Sequence, residues 1–462
     1  MTEAIVLVPG LWSWWVASRQ SLAAAFVKVY VPVFLILPNY YTLEIDHFPD
    51  PGFHTACILP IGIGMSWKAL AKRDWKFSLL DFAVLTYLCW QVVCEYYNVG
   101  MTTMPDLIWD LVNLALFPYM AGKTLIEQTG LRTEFARRFV LSVLFVCVIS
   151  VYEFRLGVSL FRMALGPLFP GETPQWVTQL RWGFGRIAGP YGHAISMAVF
   201  VGVAILLHRW LTRAGLWERS FKLSGSLPFS KAQLISFGLL AGIFMTLSRG
   251  PWIGAVCGAI LAGVGLRPDR RRALIRALLI LVVGGTILYV AGKAYLSGAS
   301  AFEGVEEQAS AAYRAILISQ YEDIVMISPI FGWGRANWPL VQGMLSIDNN
   351  YLFVALGTGL VGLGLLVATF LSGLWRIFAY GFFGNDESLI PSERVFRFTL
   401  VGILVSIAIS TGTTYISAHL YPLFFMLLGW CEACVLTRTA ASDVPVAEEY
   451  ATSSYPQMAV VA

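Results

Sequence analysis

The sequence predicts an all-α integral membrane protein, a polytopic bundle of about 12–13 transmembrane helices, and three observations carry that reading. Of the 462 residues 57% are hydrophobic and only 13% charged, against about 25% charged in soluble domains, and the mean hydropathy is +0.68. Apolar runs long enough for a bilayer core, roughly 17–25 residues, recur along nearly the whole chain with short breaks. The basic residues crowd onto every second break, the alternation that a multi-pass protein requires.

Taken in order, the first spans lie near 4–17, 22–38, 52–67, 78–96, 105–122 and 139–156. The first is short and carries Trp12, Trp14 and Trp15, rings that favour the headgroup level, so it either crosses or lies in the interface. The start MTEAIVLVPG lacks the basic segment and cleavage site of a signal peptide, which leaves translocation to the spans. A long connection near 156–186 precedes spans near 187–208, 232–248, 251–266 and 273–293. A second, near 294–349, contains EEQASAAYRAILISQYEDIVM. There Tyr313, Ile316, Leu317, Tyr321, Ile324 and Val325 recur at three- and four-residue spacing, with Glu306, Glu307, Glu322 and Asp323 largely off that face. Such a pattern predicts an amphipathic helix lying over the bundle mouth. Spans near 350–375, 397–413 and 418–437 complete a single membrane domain, 1–438. Residues 439–462, polar and proline-containing, read as a cytoplasmic disordered tail. GAVCG, from Gly254 to Gly258, and GTGLVGLG, from Gly357 to Gly364, read as small-residue faces that bring helices close.

Of the 32 Lys and Arg residues, 23 fall on alternate connections, those containing Arg19, Lys68–Lys76, Lys123–Arg138, Arg209–Lys231, Arg267–Arg276, Arg376–Arg397 and Arg438. The positive-inside rule makes these cytoplasmic and turns both long connections outward. Long outer loops on a tight bundle are where function concentrates. Neither a GxxxxGK[ST] loop nor a dinucleotide fingerprint is present and the net charge is only +4, so no nucleotide engine and no nucleic-acid partner is expected. The seven cysteines fall nearly all in apolar runs, and Cys431 and Cys434, although a CxxC, share a helix face with Leu427, Leu428 and Val435. They read as small buried hydrophobes. His47, His54, His193, His208 and His419 show no metal-ligand spacing; neither a metal nor a cofactor is expected.

The nine remaining basic residues include five arginines at the outer face. Arg249 lies in SRGPWIGA, an outer hairpin where Gly250 would permit a tight turn and Pro251 would suit the first helical position. Arg181 and Arg186 close the first outer loop in QLRWGFGRIAGPYGH, Arg314 rides the amphipathic helix, and Arg335 follows the turn-rich SPIFGWG. One such arginine is ordinarily a side chain snorkelling to headgroups. Several, with almost no outer lysine, suit a bound phosphate or diphosphate, because the guanidinium is a planar fork that keeps its proton. An anionic lipid substrate follows, and the glycines of GFGRIAGPYGH and GWG could bring backbone amides to the same anion.

These stretches resemble the bacterial O-antigen ligase and Wzy-type polysaccharide polymerase superfamily. The likeness rests on SRGPWIGA, on GRIAGPYGHAISMA at a span start, and on YRAILISQYEDIVMISPIFGWGRANW followed by DNNYLFVALGTGLVGLGLL. The last two are similar to that family's loop arginine, its Pro-x-x-Gly-x-Gly turn and its HN-x-YL…GL-x-GL helix start. It covers about 180–370 by motif and the whole chain by span number and loop placement. The resemblance implies a GT-C-like glycosyltransferase of the bacterial inner membrane, its active site facing the periplasm, that takes a glycan from an undecaprenyl diphosphate carrier. It makes Arg249 and Arg314 the foremost diphosphate contacts, followed by Arg186, then Arg181 and Arg335.

Where the ligase-type motif has histidine this chain has Asp348, followed by Asn349 and Asn350. A carboxylate there can take the proton of an acceptor hydroxyl, or it can cap the next helix. His193, in GPYGHAIS, is the alternative base, or an ordinary hydrogen-bonding group at a helix start. The expected reaction is metal-independent and inverting, with arginines stabilising the departing diphosphate. A surface polysaccharide or exopolysaccharide polymerase, whose acceptor is a second lipid-linked glycan, leads these expectations; an O-antigen ligase acting on lipid A–core is the alternative. A lipid-linked oligosaccharide flippase is the alternative of another class, against which stand the scarcity of mid-span charges and the two long outer loops. Membrane lipids surround any of these, and a polymerase would work beside chain-length-regulator or export proteins.

Overall fold

The computed structural model describes residues 2–46, 48–72, 75–170, 178–218, 229–296, 306–335, 337–344, 346–383 and 391–442. Arg73, Arg219, Lys222 and the tail from 443 lie outside them. Every apolar run read from the sequence is helical. In order these are α1 (Val8–Arg19), α2 (Leu22–Ile36), α3 (Phe53–Lys72), α4 (Leu79–Val99), α5 (104–125), α6 (Arg132–Leu156) and α7 (Ala194–Arg213). There follow α8 (Lys231–Met245), α9 (Arg249–Leu266), α10 (Arg270–Leu296), α11 (Glu306–Ile327), α12 (Asn350–Phe383), α13 (Pro391–Thr411) and α14 (Leu420–Ser442).

Among the described residues eight helices, α4, α6, α7, α9, α10, α12, α13 and α14, are long and apolar enough to cross a membrane, fewer than the 12–13 expected. Two of the expected spans, α2 (Leu22–Ile36) and α8 (Lys231–Met245), are apolar but short. The span expected from 187 begins only at Ala194, because Gly189 and Gly192 take left-handed φ of 56° and 69° and hold the chain in a turn. The last helix runs on to Ser442, so the tail's first residues are helical.

The core is aromatic where helices cross. Phe26, Tyr30, Phe34, Phe135, Phe139 and Phe200 form a chain of ring contacts through the bundle centre. Helix α7 is the most enclosed span and α10 the most exposed. Gly254 and Gly258 of α9 lie against Ser406 O and Gly402 O of α13, where a Cβ would come within 2.6 Å and 2.5 Å of carbonyl oxygen. GAVCG is therefore the close helix contact that its small residues predict.

GTGLVGLG behaves differently. Helix α12 breaks at Gly359, with φ 72° and ψ 178°, and Pro329–Gly334 plugs the break. Trp333 N and Gly334 N donate to Leu356 O (2.8 Å) and Gly357 O (3.0 Å), Leu360 N donates to Pro329 O (2.6 Å), and Trp90 Nε1 of α4 donates to Thr358 O (3.0 Å). Backbone groups released inside a span are thus satisfied by protein, as a lipid environment demands. A Cβ on Gly332 would stand 2.6 Å from Gly357 C, whereas one on Gly364 would meet nothing within 4 Å. The first half of this run is a broken helix, not a packing face.

The two sets of connections separate to opposite ends. At the basic end Arg132 pairs with Glu127 and Glu393, Arg376 with Glu432, and Lys123 with Asp81, while Arg270 donates to the carbonyls of Gly381 and Phe382. At the other end the two long connections meet the short α8–α9 turn.

Candidate functional site

The α8–α9 turn is the foundation of the site. Leu247 adopts φ 48°, a left-handed conformation that costs a non-glycine residue roughly 1–2 kcal/mol. Two arginines hold it there. Arg181 Nη1 donates to Leu247 O (2.7 Å); Arg186 donates through Nη2 to Ser248 Oγ (3.1 Å) and through Nε to Thr246 O (3.4 Å). Helix α9 consequently begins at Arg249, with Gly250 and Pro251 already inside its first turn. The sequence reading had placed Gly250 in the turn and Pro251 first in the helix; instead Leu247 makes the turn, and Gly250 is small because Thr413 packs where its Cβ would be.

Arg181 comes from a hairpin, β1 (Leu180–Arg181) against β2 (Phe184–Gly185), closed by Trp182 and Gly183 at φ 53° and 77°. Arg186 follows it, buried, with Gln179 Oε1 as a further acceptor. Beneath, buried Glu153 at the end of α6 accepts the amides of Ala188 (3.2 Å) and Gly189 (3.0 Å) and the hydroxyl of Thr178 (2.9 Å). This carboxylate, which the sequence reading missed, holds the Ala188–Gly189 turn of the GRIAGPYGH segment. Its signal was a lone Glu at the end of an apolar run.

Helix α11 builds the facing wall. Leu317, Tyr321 and Val325 are buried and Tyr313, Ile316 and Ile324 half-buried, while Glu322 and Asp323 are exposed, as the amphipathic pattern predicts. Two tyrosine hydroxyls pin the connection to α12. Tyr313 donates to Ser346 O (2.7 Å) and accepts from Ser346 N (3.2 Å); Tyr321 does the same with Met344 O (2.7 Å) and Val341 N (3.2 Å). Asp348 is thereby presented to Arg314, with Nη2 at 3.4 Å from Oδ2, and Ser346 Oγ donates to Oδ1 at 2.6 Å. The helix cap is Asn349, whose Oδ1 accepts from Tyr351 N (3.0 Å) and Leu352 N (3.1 Å), while Asn350 Oδ1 accepts from Ile416 N (3.0 Å). Of the two roles left open for Asp348, capping is taken by its neighbour.

Between these walls lies a cavity of about 290 Å³ lined by Arg181, Arg186, Arg249 and Arg314 with Ser248 and Thr413. The fifth arginine is not there. Arg335 pairs with Asp110, and its backbone N–H donates to Glu95 Oε2 at 2.8 Å, so it fastens the Pro329–Gly334 turn to α4 and α5. His193 caps α7, its Nδ1 accepting from Ile195 N at 3.2 Å. Burial, then the Arg186 and Arg314 cations, against an upward pull from Asp348, push its pKa down to about 4. A neutral imidazole accepting at Nδ1 carries its proton on Nε2. Its Nδ1 is thus engaged in the cap, which leaves Nε2–H as the donating side of the ring.

Residues 234–367 match the family described as O-antigen ligase. Over this segment, less than a third of its length, the chain carries a match to that family. No curated protein matches the chain. The matched segment runs from α8 into α12, and so takes in Arg249, Arg314, Arg335, Asp348 and the plugged break. Arg181, Arg186 and His193 lie ahead of it, and the two arginines reach its turn from outside. The matched and preceding segments together make a cavity whose lining, among the described residues, has four arginines and no carboxylate, a concentration of positive charge that favours anions. Among the described residues no group of three or more His, Cys, Asp or Glu is gathered as metal ligands.

Proposed function

We propose that this protein is an inverting, metal-independent glycosyltransferase of the O-antigen ligase type. It sits in the bacterial inner membrane, draws glycan from an undecaprenyl diphosphate carrier at the periplasmic face and passes it to lipid A–core. The observation that carries the reading is the convergence of Arg181, Arg186, Arg249 and Arg314, from three separate segments, on one cavity beside Asp348. Arg249 and Arg314 receive the diphosphate, Arg181 and Arg186 hold the turn that aims Arg249, and the His193 N–H adds a donor. The acceptor hydroxyl attacks the anomeric carbon from the face opposite the diphosphate, and its proton passes to the Asp348 carboxylate. The carbon–oxygen bond to the diphosphate breaks, and its electron pair leaves with that group, where the guanidiniums meet the growing charge.

The family match supports ligation over the polymerisation that the sequence reading had put first. Polymerisation stays as a second reading on one observation: aspartate stands where the ligase-type motif has histidine. The two are separated by supplying purified protein in liposomes with a defined undecaprenyl-diphosphate glycan and either lipid A–core or donor alone. Ligation predicts glycosylated lipid A–core, undiminished by EDTA; chain growth on donor alone would identify a polymerase. Movement of donor across the bilayer without transfer to either acceptor would overturn both.

A further inference from the structure

The basic end of the bundle contains a second charged cavity that glycan transfer does not use. It measures about 530 Å³ and lies among α2, α3, α5 and α14, with Lys68, Trp75, Lys76 and Lys123 in its lining. A cavity of about 380 Å³ shares Leu22, Lys68, Leu125 and Thr129 with it, so the two form one groove. Buried Lys123 is neutralised by Asp81; its Nζ also donates to Lys76 O at 2.9 Å and lies 4.4 Å from the centre of the Trp75 ring. That knot fixes the 75–76 segment without adding net charge. Glu134, on the rim of the smaller cavity, pairs with Arg138, and Lys28 donates to Gln20. The exposed ammonium groups of Lys68 and Lys76 pair with no carboxylate among the described residues.

Their neighbours say what kind of anion reaches them. Trp67 and Leu70 beside Lys68, and Phe77 and Leu79 beside Lys76, are exposed to 74%, 78%, 76% and 67%. Large apolar side chains so exposed face hydrocarbon, and cations interleaved with aromatic rings mark headgroup depth. A water-borne anion would meet an apolar rim, whereas a lipid lays its chains on these residues and its phosphate between the lysines. Lysine suits that task, since it is a hydrated point charge that attracts a headgroup without fixing its geometry.

We infer that this groove is a binding site for a glycerophospholipid with a net-negative headgroup, in the leaflet opposite the arginine cavity. The test uses the full chain in neutral detergent, with retained lipid counted by native mass spectrometry and the thermal midpoint followed on addition of phosphatidylglycerol, phosphatidylcholine or inorganic phosphate. Phosphatidylglycerol is expected to stay bound and raise the midpoint, and Lys68→Gln with Lys76→Gln to weaken it by about tenfold or more. Arg271→Gln with Arg272→Gln, the same charge loss at the same end but outside the groove, should leave binding intact. Ala69→Trp keeps both charges and fills the groove, so it should exclude the lipid even if the lysine variant fails to fold. Undiminished binding by the lysine or tryptophan variant, equal loss in the arginine control, or an equal effect of phosphatidylcholine would overturn the site. A full effect of inorganic phosphate alone would overturn the lipid assignment.

Discussion

Arg249 differs from the other three cavity arginines in what it is committed to. Arg181 and Arg186 bind the Thr246–Ser248 turn and Arg314 faces Asp348, whereas exposed Arg249 has no hydrogen bond or ion pair among the described residues. Arg249→Lys keeps the charge but loses the fork, and should lower transfer by about 10²-fold at normal protein level; Arg314→Lys should do the same, with lipid-linked donor accumulating in cells. Normal product from both, measured on extracted glycolipid, would leave headgroup snorkelling as their role. Because Asn349 caps α12, Asp348→Asn should keep the thermal midpoint yet lose transfer, and Asp348→His should recover part of it with a rate that falls as imidazole protonates. Asn349→Ala should show the converse, a stability loss of about 1 kcal/mol with transfer chemistry retained. His193 is expected to be neutral throughout the working range, so His193→Gln should lower the rate without moving its pH profile. A histidine whose pKa falls from 6.5 to about 4 binds fewer protons folded than unfolded between those values. Its contribution to stability is thus full above 6.5 and lost as pH falls toward 4, and the His193→Gln midpoint should fall less on acidification than that of the unaltered protein.

At the scale of elements, the plugged break in α12 joins the loop of the matched segment to its apolar helix. Gly332 and Gly359 both need left-handed φ and both lie against backbone. Gly332→Ala and Gly359→Ala should each destabilise by roughly 1–3 kcal/mol or more, and Gly364→Ala, facing open space, should be neutral in thermal unfolding. This contrast also shows why the break was not legible. Glycines at short spacing look alike whether they admit a neighbouring helix or a plugging turn, and only the positive φ separates GAVCG from GTGLVGLG. The helices themselves were legible, since an apolar run is local and survives any packing, although eight and not 12–13 of the described helices are long and apolar enough to cross. The amphipathic face of α11 was legible for the same reason. What was not was the polar work of Tyr313, Tyr321 and Glu153, because each acts on backbone of another element and nothing in its own neighbourhood announces that. The DNN run offered three adjacent residues able to cap a helix, and sequence could not say which one does.

For the whole molecule, the alternation of charge and the meeting of connections agree. Arg132 reaches Glu393 across the basic end, while Arg186 reaches Ser248 and Arg314 reaches Asp348 at the other. In a cysteine-free background an impermeant thiol reagent should label Leu340→Cys in intact spheroplasts and Arg271→Cys only after permeabilisation; the reverse pattern would invert the molecule. Four of the five arginines proposed from sequence share one cavity, and the exception, Arg335, shows the limit of reasoning from charge and sidedness: an outer arginine can as well be held by an acidic partner on another helix, here Asp110. The claim on which the functional account depends is that this cavity clamps a lipid diphosphate. It is tested most directly by equilibrium binding of undecaprenyl diphosphate, without glycan, to the purified protein and to its Arg249→Lys and Arg314→Lys variants. The account predicts saturable binding that each lysine variant weakens about tenfold or more, with undecaprenyl alcohol failing to compete. Equal binding by all three proteins, or full competition by the alcohol, would contradict it.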